Sequence, residues 1–448
     1  MKENLLDWFV GHVLSAFEEA YRSEAWDGPV AMALLDWLAI TMAGLSESRC
    51  DTVDKITPVV FDARLLPGGI CVSKAILYGM ASHCLELDDG YRAGGVHVGA
   101  PVISALVASD VNADWPTIRQ AVLCGYEATG TIARLMQPGH KRRGFHATGT
   151  CGCIGGAVAV AIAAGQSVNE IKRTVSAAAS MASGLLEMQE DGSQMKALTV
   201  GNAALNGIVA AAVGGGNLRF PADALGGPRG LFSCMDASGS APTDAEGFCL
   251  ANVYRKLYPS CRHGHSAIDA AFAIQKSRGF DPNDIKDIEI ATYKDAILGH
   301  NLVDISTDSQ AKMSTPYCVA SVFVRGSFGL DSFDEAALRD PMVHGLMQKT
   351  HVVEAKELSE LAPQKRGARV TVTLGDGTRL AKEILDPKGE PENPLSAEEL
   401  VDKCAPLLMR SGLSDKATQK CIEKLLVSCQ CSLQELRSYL TLEERNKR

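Results

Sequence analysis

The side chains able to do chemistry fall into four clusters. In the first, Glu86-Leu87-Asp88-Asp89-Gly90 is followed by Gly94-Gly95-Val96-His97-Val98-Gly99-Ala100-Pro101. Carboxylates at a helix end oppose the macrodipole, and the glycine-flanked loop beyond them delivers a histidine. The plain alternative is a polar interhelical turn. In the second, Arg142-Arg143-Gly144-Phe145-His146-Ala147-Thr148-Gly149-Thr150 precedes a small-residue helix whose free N–H groups favour anions. Thr150 would serve equally as an N-cap. The third, Gly192-Ser193-Gln194-Met195-Lys196 with Gly201-Asn202 beyond, sets a lysine between Ala-rich helical stretches, in a pocket or on the surface. The fourth, Lys256 to His265, packs a lysine, a tyrosine, Cys261, Arg262 and two histidines into ten residues. Its plain reading is a domain-crossing linker with Ser266 capping the next helix. A metal is disfavoured there, because His263 and His265 would point in opposite directions along an extended chain.

Histidine, with an unperturbed pKa of about 6.5, moves protons both ways near neutral pH. Lysine and arginine hold carboxylate oxygens through charge-assisted hydrogen bonds. The chain as a whole carries a net charge of −9. That excludes a global positive field for nucleic acid or an anionic membrane. An acidic substrate would need a local cationic pocket.

The elements that position these residues read as two kinds. Up to about residue 215 the pattern is helical, over 29–45, 73–87, 100–111, 115–136, 153–165, 168–188 and 201–214. Gly and Ala on the apolar faces allow close helix packing. After about residue 250 strand signals appear. Asp287 to Thr292 alternates, and 368–385 reads as two strands joined by Gly375-Asp376-Gly377, a hairpin. Helices at 265–277 and 314–326 flank them, and helical sequence resumes at Ser396. The fold class expected is mainly α. A large all-helical domain is built from both termini (1–250 and 390–448), with a smaller α+β domain (251–389) inserted.

The most apolar stretch, Ile154 to Gly165, is about twelve residues against the roughly twenty that span a bilayer, so it reads as a buried helix. The opening run, MKENLLDWFVGHVLSAFEEAY, is broken by acids and lacks the apolar core of a signal peptide. A cytoplasmic location is expected. The 14 cysteines, two pairs of them spaced C-x-C, lack zinc-finger spacing and read as reduced, buried thiols.

Taken in order, the clusters resemble the MmgE/PrpD family. Its pattern is an acidic D-x-D-D stretch leading to a histidine, then G-F-H-x-T, K-x-x-x-x-G-N-A-A, and K-x-Y-P-x-C-x-x-x-H-x-x-x-D-A. The chain supplies Asp88, Asp89 and His97; Gly144, Phe145, His146 and Thr148; Lys196, Gly201 and Asn202; and Lys256, Tyr258, Pro259, Cys261, His265 and Asp269. Ser314-Thr315-Pro316-Tyr317 is similar to a later segment that brings a tyrosine into the site. The departures are Glu86 in place of Asp, Gly90 after the acid pair, and Val98 and Ala147 in place of the prolines that commonly follow the two histidines.

The resemblance implies a homodimer with a metal-free, cofactor-free site between the domains. The family includes 2-methylcitrate dehydratase, cis-aconitate decarboxylase and iminodisuccinate epimerase. His97, His146, Lys196 and Tyr317 are the implied catalytic residues. Asp88, Arg143, Lys256, Cys261, Arg262 and His265 are expected at or near the substrate. The function expected is that of a lyase, dehydrating or decarboxylating a small di- or tricarboxylate by proton transfer next to a carboxylate. An epimerase or isomerase of a related dicarboxylate is the alternative, and a non-catalytic binding protein of the same fold the third reading.

Overall fold

The computed structural model describes residues 4–46, 72–189, 195–235 and 247–441. The Gly192–Gln194 part of the third cluster lies outside them. The chain divides into two units. The first comprises Met1–Cys84, Asp88–Val253 and Ser396–Arg448, and the second Leu85–Leu87 and Tyr254–Leu395. The change of unit thus falls at 253/254 and 395/396, a few residues beyond the composition shifts at 250 and 389.

The first unit is helical: α1 (Leu5–Arg22), α2 (Asp27–Leu45), α3 (Val72–Cys84), α4 (Gly99–Ala108), α5 (Trp115–Met136), α6 (Ala147–Ala163), α7 (Val168–Met181) and α8 (Met195–Gly214). Their starts follow local chemistry. Asp114 caps α5 by accepting from the Thr117 N–H, with Pro116 in the first turn, and Ser167 and Glu170 form a capping box on α7. The helix axes approach closely because their contact faces are small: a Cβ on Gly79 of α3 would fall 2.6 Å from the Gly201 Cα of α8. Two segments, Glu24–Leu45 and Met195–Gly214, are long and apolar enough to cross a membrane by length and composition. Both are more extensive than the 154–165 stretch, and in the first unit most of their residues are buried against neighbouring helices.

The terminal helices close this unit. Ser396 and Glu399 form a capping box that starts α9 (Ala397–Arg410), and Lys403 of α9 reaches Asp36 of α2 at 2.5 Å with both side chains buried. Arg437, in helix Leu433–Leu440, donates to the carbonyls of Val107, Ser109 and Val111. Its guanidinium thus satisfies acceptors at the C-terminal end of α4.

The second unit holds a four-stranded sheet: β1 (Ile285–Thr292), β2 (Thr350–Glu354), β3 (Ala368–Leu374) and β4 (Arg379–Ile384), in the order β2-β1-β3-β4. β1 pairs parallel with β2 and antiparallel with β3, and β3 and β4 form the hairpin. Ile288, Ile290, Val370 and Val372 face a core completed by Ile268 and Ala271 of helix His265–Ser277 and by Val319 and Phe323 of helix Thr315–Arg325. β2 was not foreseen.

Candidate active site

The acids of the first cluster do not end a helix. α3 stops at Cys84, and Glu86 takes a left-handed φ of 56°, so the chain turns back and Asp88 meets the helix it has just left. His83 Nδ1 donates to Asp88 Oδ2 at 2.6 Å, and His97 Nδ1 lies 3.1 Å from the same oxygen and 2.8 Å from the Asp89 carbonyl. Burial would push the Asp88 carboxyl up, but His83 and His97 outweigh it and hold it well below the usual carboxylate range. Asp88 is therefore an anion. Both acceptors facing His97 Nδ1 lack a proton, so Nδ1 carries the hydrogen and a neutral His97 presents an unprotonated Nε2. These distances are those of hydrogen bonds, shorter than the roughly 3.3 Å between ligand atoms that share a tetrahedral zinc.

His83 was absent from the sequence-derived set. Its imidazole is buried, and that burial lowers its pKa despite Asp88, with Lys196 and His97 pushing the same way as burial. The rings of His83 and His97 meet edge to face, with centroids 4.7 Å apart, and His146 lies 6.2 Å from His83.

The loop carrying His97 is fixed from several sides. The His97 N–H donates to the Thr148 hydroxyl at 3.1 Å. Asp89 accepts from the Gly99 N–H at the start of α4 and from the Tyr126 hydroxyl of α5. A Cβ at position 99 would fall 2.4 Å from that hydroxyl, so only glycine fits. With Arg437 at its far end, α4 is held at both termini.

His146 precedes α6, and its backbone N–H donates to the Gly184 carbonyl. Its Nδ1 is 2.8 Å from the Thr199 hydroxyl, which gives its own proton to the Lys196 carbonyl at 2.8 Å. Nδ1 is then the donor, and Nε2 is again the unprotonated nitrogen. α6 begins at Ala147, so Thr150 lies inside it as a buried partner of His140 and is not the N-cap. Lys196, in the first turn of α8, is half-buried and close enough to His83 to shift it. It is no surface lysine. Arg143 is exposed.

The remaining candidates lie in the second unit, several with their groups engaged. Lys256 is buried, with Nζ 3.0 Å from Glu86 Oε2. Arg262 donates to Glu390, His265 Nδ1 and the Lys388 carbonyl, which ties Arg262 to the Pro387–Glu390 turn. The Tyr317 ring is fully buried in the unit's core and its hydroxyl donates to the Ser332 carbonyl, which is the position of a core tyrosine. Cys261 lies 3.7 Å from His300 Nε2. Burial would raise its thiol, but His300 and Lys256 outweigh burial and bring it down to about 6.

A family model described as the MmgE/PrpD N-terminal domain matches residues 19–242, and one described as the MmgE/PrpD C-terminal domain matches residues 258–427. The chain belongs to the MmgE/PrpD family. That family includes dehydratases and related enzymes. No curated protein matches the chain. The departures from the MmgE/PrpD pattern have local explanations. Ala147 is the first residue of α6, a position where proline is favoured but not required, and Val98 is the N-cap of α4. Glu86 is the carboxylate that pairs with Lys256.

Proposed function

We propose that the chain is a lyase acting on a small di- or tricarboxylate, by dehydration or decarboxylation, with neither a metal nor a cofactor in the chemical step. The observation that carries this reading is the Asp88–His97 pair: an ionised carboxylate fixes Nδ1–H on His97 and leaves Nε2 as a base. In the dehydration case, Nε2 takes the proton from the carbon next to a carboxylate. The C–H electron pair becomes the new C=C bond, and the C–O bond to the leaving hydroxyl breaks. The imidazolium formed on His97 is stabilised by Asp88. His146 Nδ1 faces the Thr199 hydroxyl, so the proton it contributes to this step sits on Nε2, taken from solvent before the substrate binds. The imidazolium of His146 gives that proton to the departing hydroxyl, which leaves as water, and release of the proton from His97 to solvent closes the cycle. Lys196 balances the negative charge that develops on the substrate carboxylate.

A panel of di- and tricarboxylates, followed by ultraviolet absorbance of new unsaturation and by mass in deuterated water, tests this. A lyase changes the substrate formula, and His97→Gln and His146→Gln each slow it by about a hundredfold or more. Deuterium wash-in without change of formula, lost from one stereoisomer in each variant, would make the protein an epimerase. Neither signal would leave a binding protein.

A further inference from the structure

The second unit contains a cluster that the mechanism above does not use. Cys261, His263 and His300 each present a ligand-type atom, and these three atoms lie within 4.8 Å of one another. We propose that Cys261, His263 and His300 bind a borderline-soft divalent ion of the zinc class, through one thiolate and two imidazoles, with a fourth position left for water or an anion.

The geometry and its supports carry the assignment. Two ligand atoms around a tetrahedral zinc, with Zn–S of about 2.3 Å and Zn–N of about 2.0–2.1 Å, are about 3.6 Å apart, and Cys261 Sγ lies 3.7 Å from His300 Nε2. Both imidazoles are oriented from behind, as metal-binding histidines are. His300 Nδ1 donates to the Met313 carbonyl at 3.0 Å, so Nε2 is the nitrogen turned toward Cys261, and His263 Nδ1 meets the Tyr293 hydroxyl at 2.5 Å. The two rings stack with centroids 5.1 Å apart. The backbone is clamped as well: the Cys261 N–H donates to the Lys312 carbonyl and the Thr315 N–H to the His300 carbonyl. All three side chains are partly exposed, so an ion can enter.

The i, i+2 argument that separates His263 from His265 holds, since His265 turns to Arg262. The partners of His263 are a cysteine two residues before it and a histidine 37 residues after it, a spacing with no motif. The His83–Asp88–His97 group is a poorer ion site, because its carboxylate oxygen already sits 2.6 Å from a ring nitrogen.

The test is cobalt substitution in the full-length protein after stripping with a chelator. One equivalent of Co²⁺ should give a near-ultraviolet thiolate-to-cobalt charge-transfer band with visible bands of four-coordination, and Zn²⁺ should bleach both. Cys261→Ser should abolish the charge-transfer band. His300→Gln should weaken zinc binding at least about tenfold, with circular dichroism confirming that each variant is folded. The proposal is overturned if the folded wild type gives no thiolate band, or if the band survives in Cys261→Ser. It is equally overturned if cobalt shows only nitrogen and oxygen ligation, as His83, Asp88 and His97 would give.

Discussion

Replacing Asp88 by asparagine isolates the feature on which the proposed chemistry depends. The amide keeps the size of the side chain and one acceptor oxygen, but removes the charge and one lone-pair face. In the native site Oδ2 receives His83 Nδ1 at 2.6 Å and faces His97 Nδ1 at 3.1 Å. A hydrogen bond between charged groups contributes about 1.5–3 kcal/mol. The contact between Asp88 and His97 strengthens once His97 has taken the proton and both groups are charged, so the larger part of its loss falls on the transition state. At about 1.4 kcal/mol per factor of ten, that is roughly a ten- to hundredfold fall in kcat. If the amide NH2 turns toward His97, the ring adopts the other tautomer and Nε2 is blocked, and the loss approaches the roughly 10⁴ known for the same change in a Ser–His–Asp site. KM should stay within about twofold, because Asp88 touches histidines rather than substrate. Steady-state kinetics on the folded variant, checked by thermal melting, decide the matter. A kcat near wild type refutes the base assignment. A raised KM with kcat preserved returns Asp88 to substrate binding, where the sequence had placed it.

Lys196→Ala should lower kcat/KM by about 2–3 kcal/mol, as for a lost charged hydrogen bond, with little change in melting temperature; wild-type kinetics would remove Lys196 from the site. Lys403→Ala strands the buried Asp36 carboxylate and should destabilise the protein by about 3–5 kcal/mol in urea unfolding. Acidification should also destabilise it. Burial lowers His140 from 6.5 to about 4, so the folded protein keeps it neutral while the unfolded chain takes up a proton. Stability is complete above about pH 6.5 and falls toward pH 4, by up to about 3 kcal/mol from this residue. His83, also lowered by burial, acts in the same direction, and unfolding free energies that stay flat across that range would contradict the argument.

The helical elements were legible because their signals are local and redundant. Proline near the start of α5, the Ser396/Glu399 box on α9 and the small residues where α3 meets α8 all act within a turn or two of where they appear in sequence. The Gly375-Asp376-Gly377 turn announced the β3–β4 hairpin in the same way. β2 escaped notice because it is only five residues long (THVVE), begins with two polar residues and leaves most of its side chains exposed. Its strand character comes from pairing with β1 across the sheet, which no local pattern encodes.

The site was legible in its types but not in its connections. His97, His146 and Lys196 could be picked out because a histidine in a glycine loop, or a lysine between Ala-rich helices, is unusual where it stands. His83 could not. A lone histidine inside the Ala- and Leu-containing run of α3 looks like a core residue, and it becomes part of the site only because Glu86 adopts a left-handed conformation and folds Asp88 back onto it. The same turn explains why the acids looked misplaced. As a helix end, Glu86-Leu87-Asp88 opposes the dipole; as a reversal, it sends one carboxylate to Lys256 in the second unit and the other to two histidines in the first. Neither partner of the Lys256 pair predicts the other across 170 residues. A lysine and a carboxylate buried so completely require one another, which is why Lys256 reads as a pocket cation in sequence and as half of an ion pair in the fold.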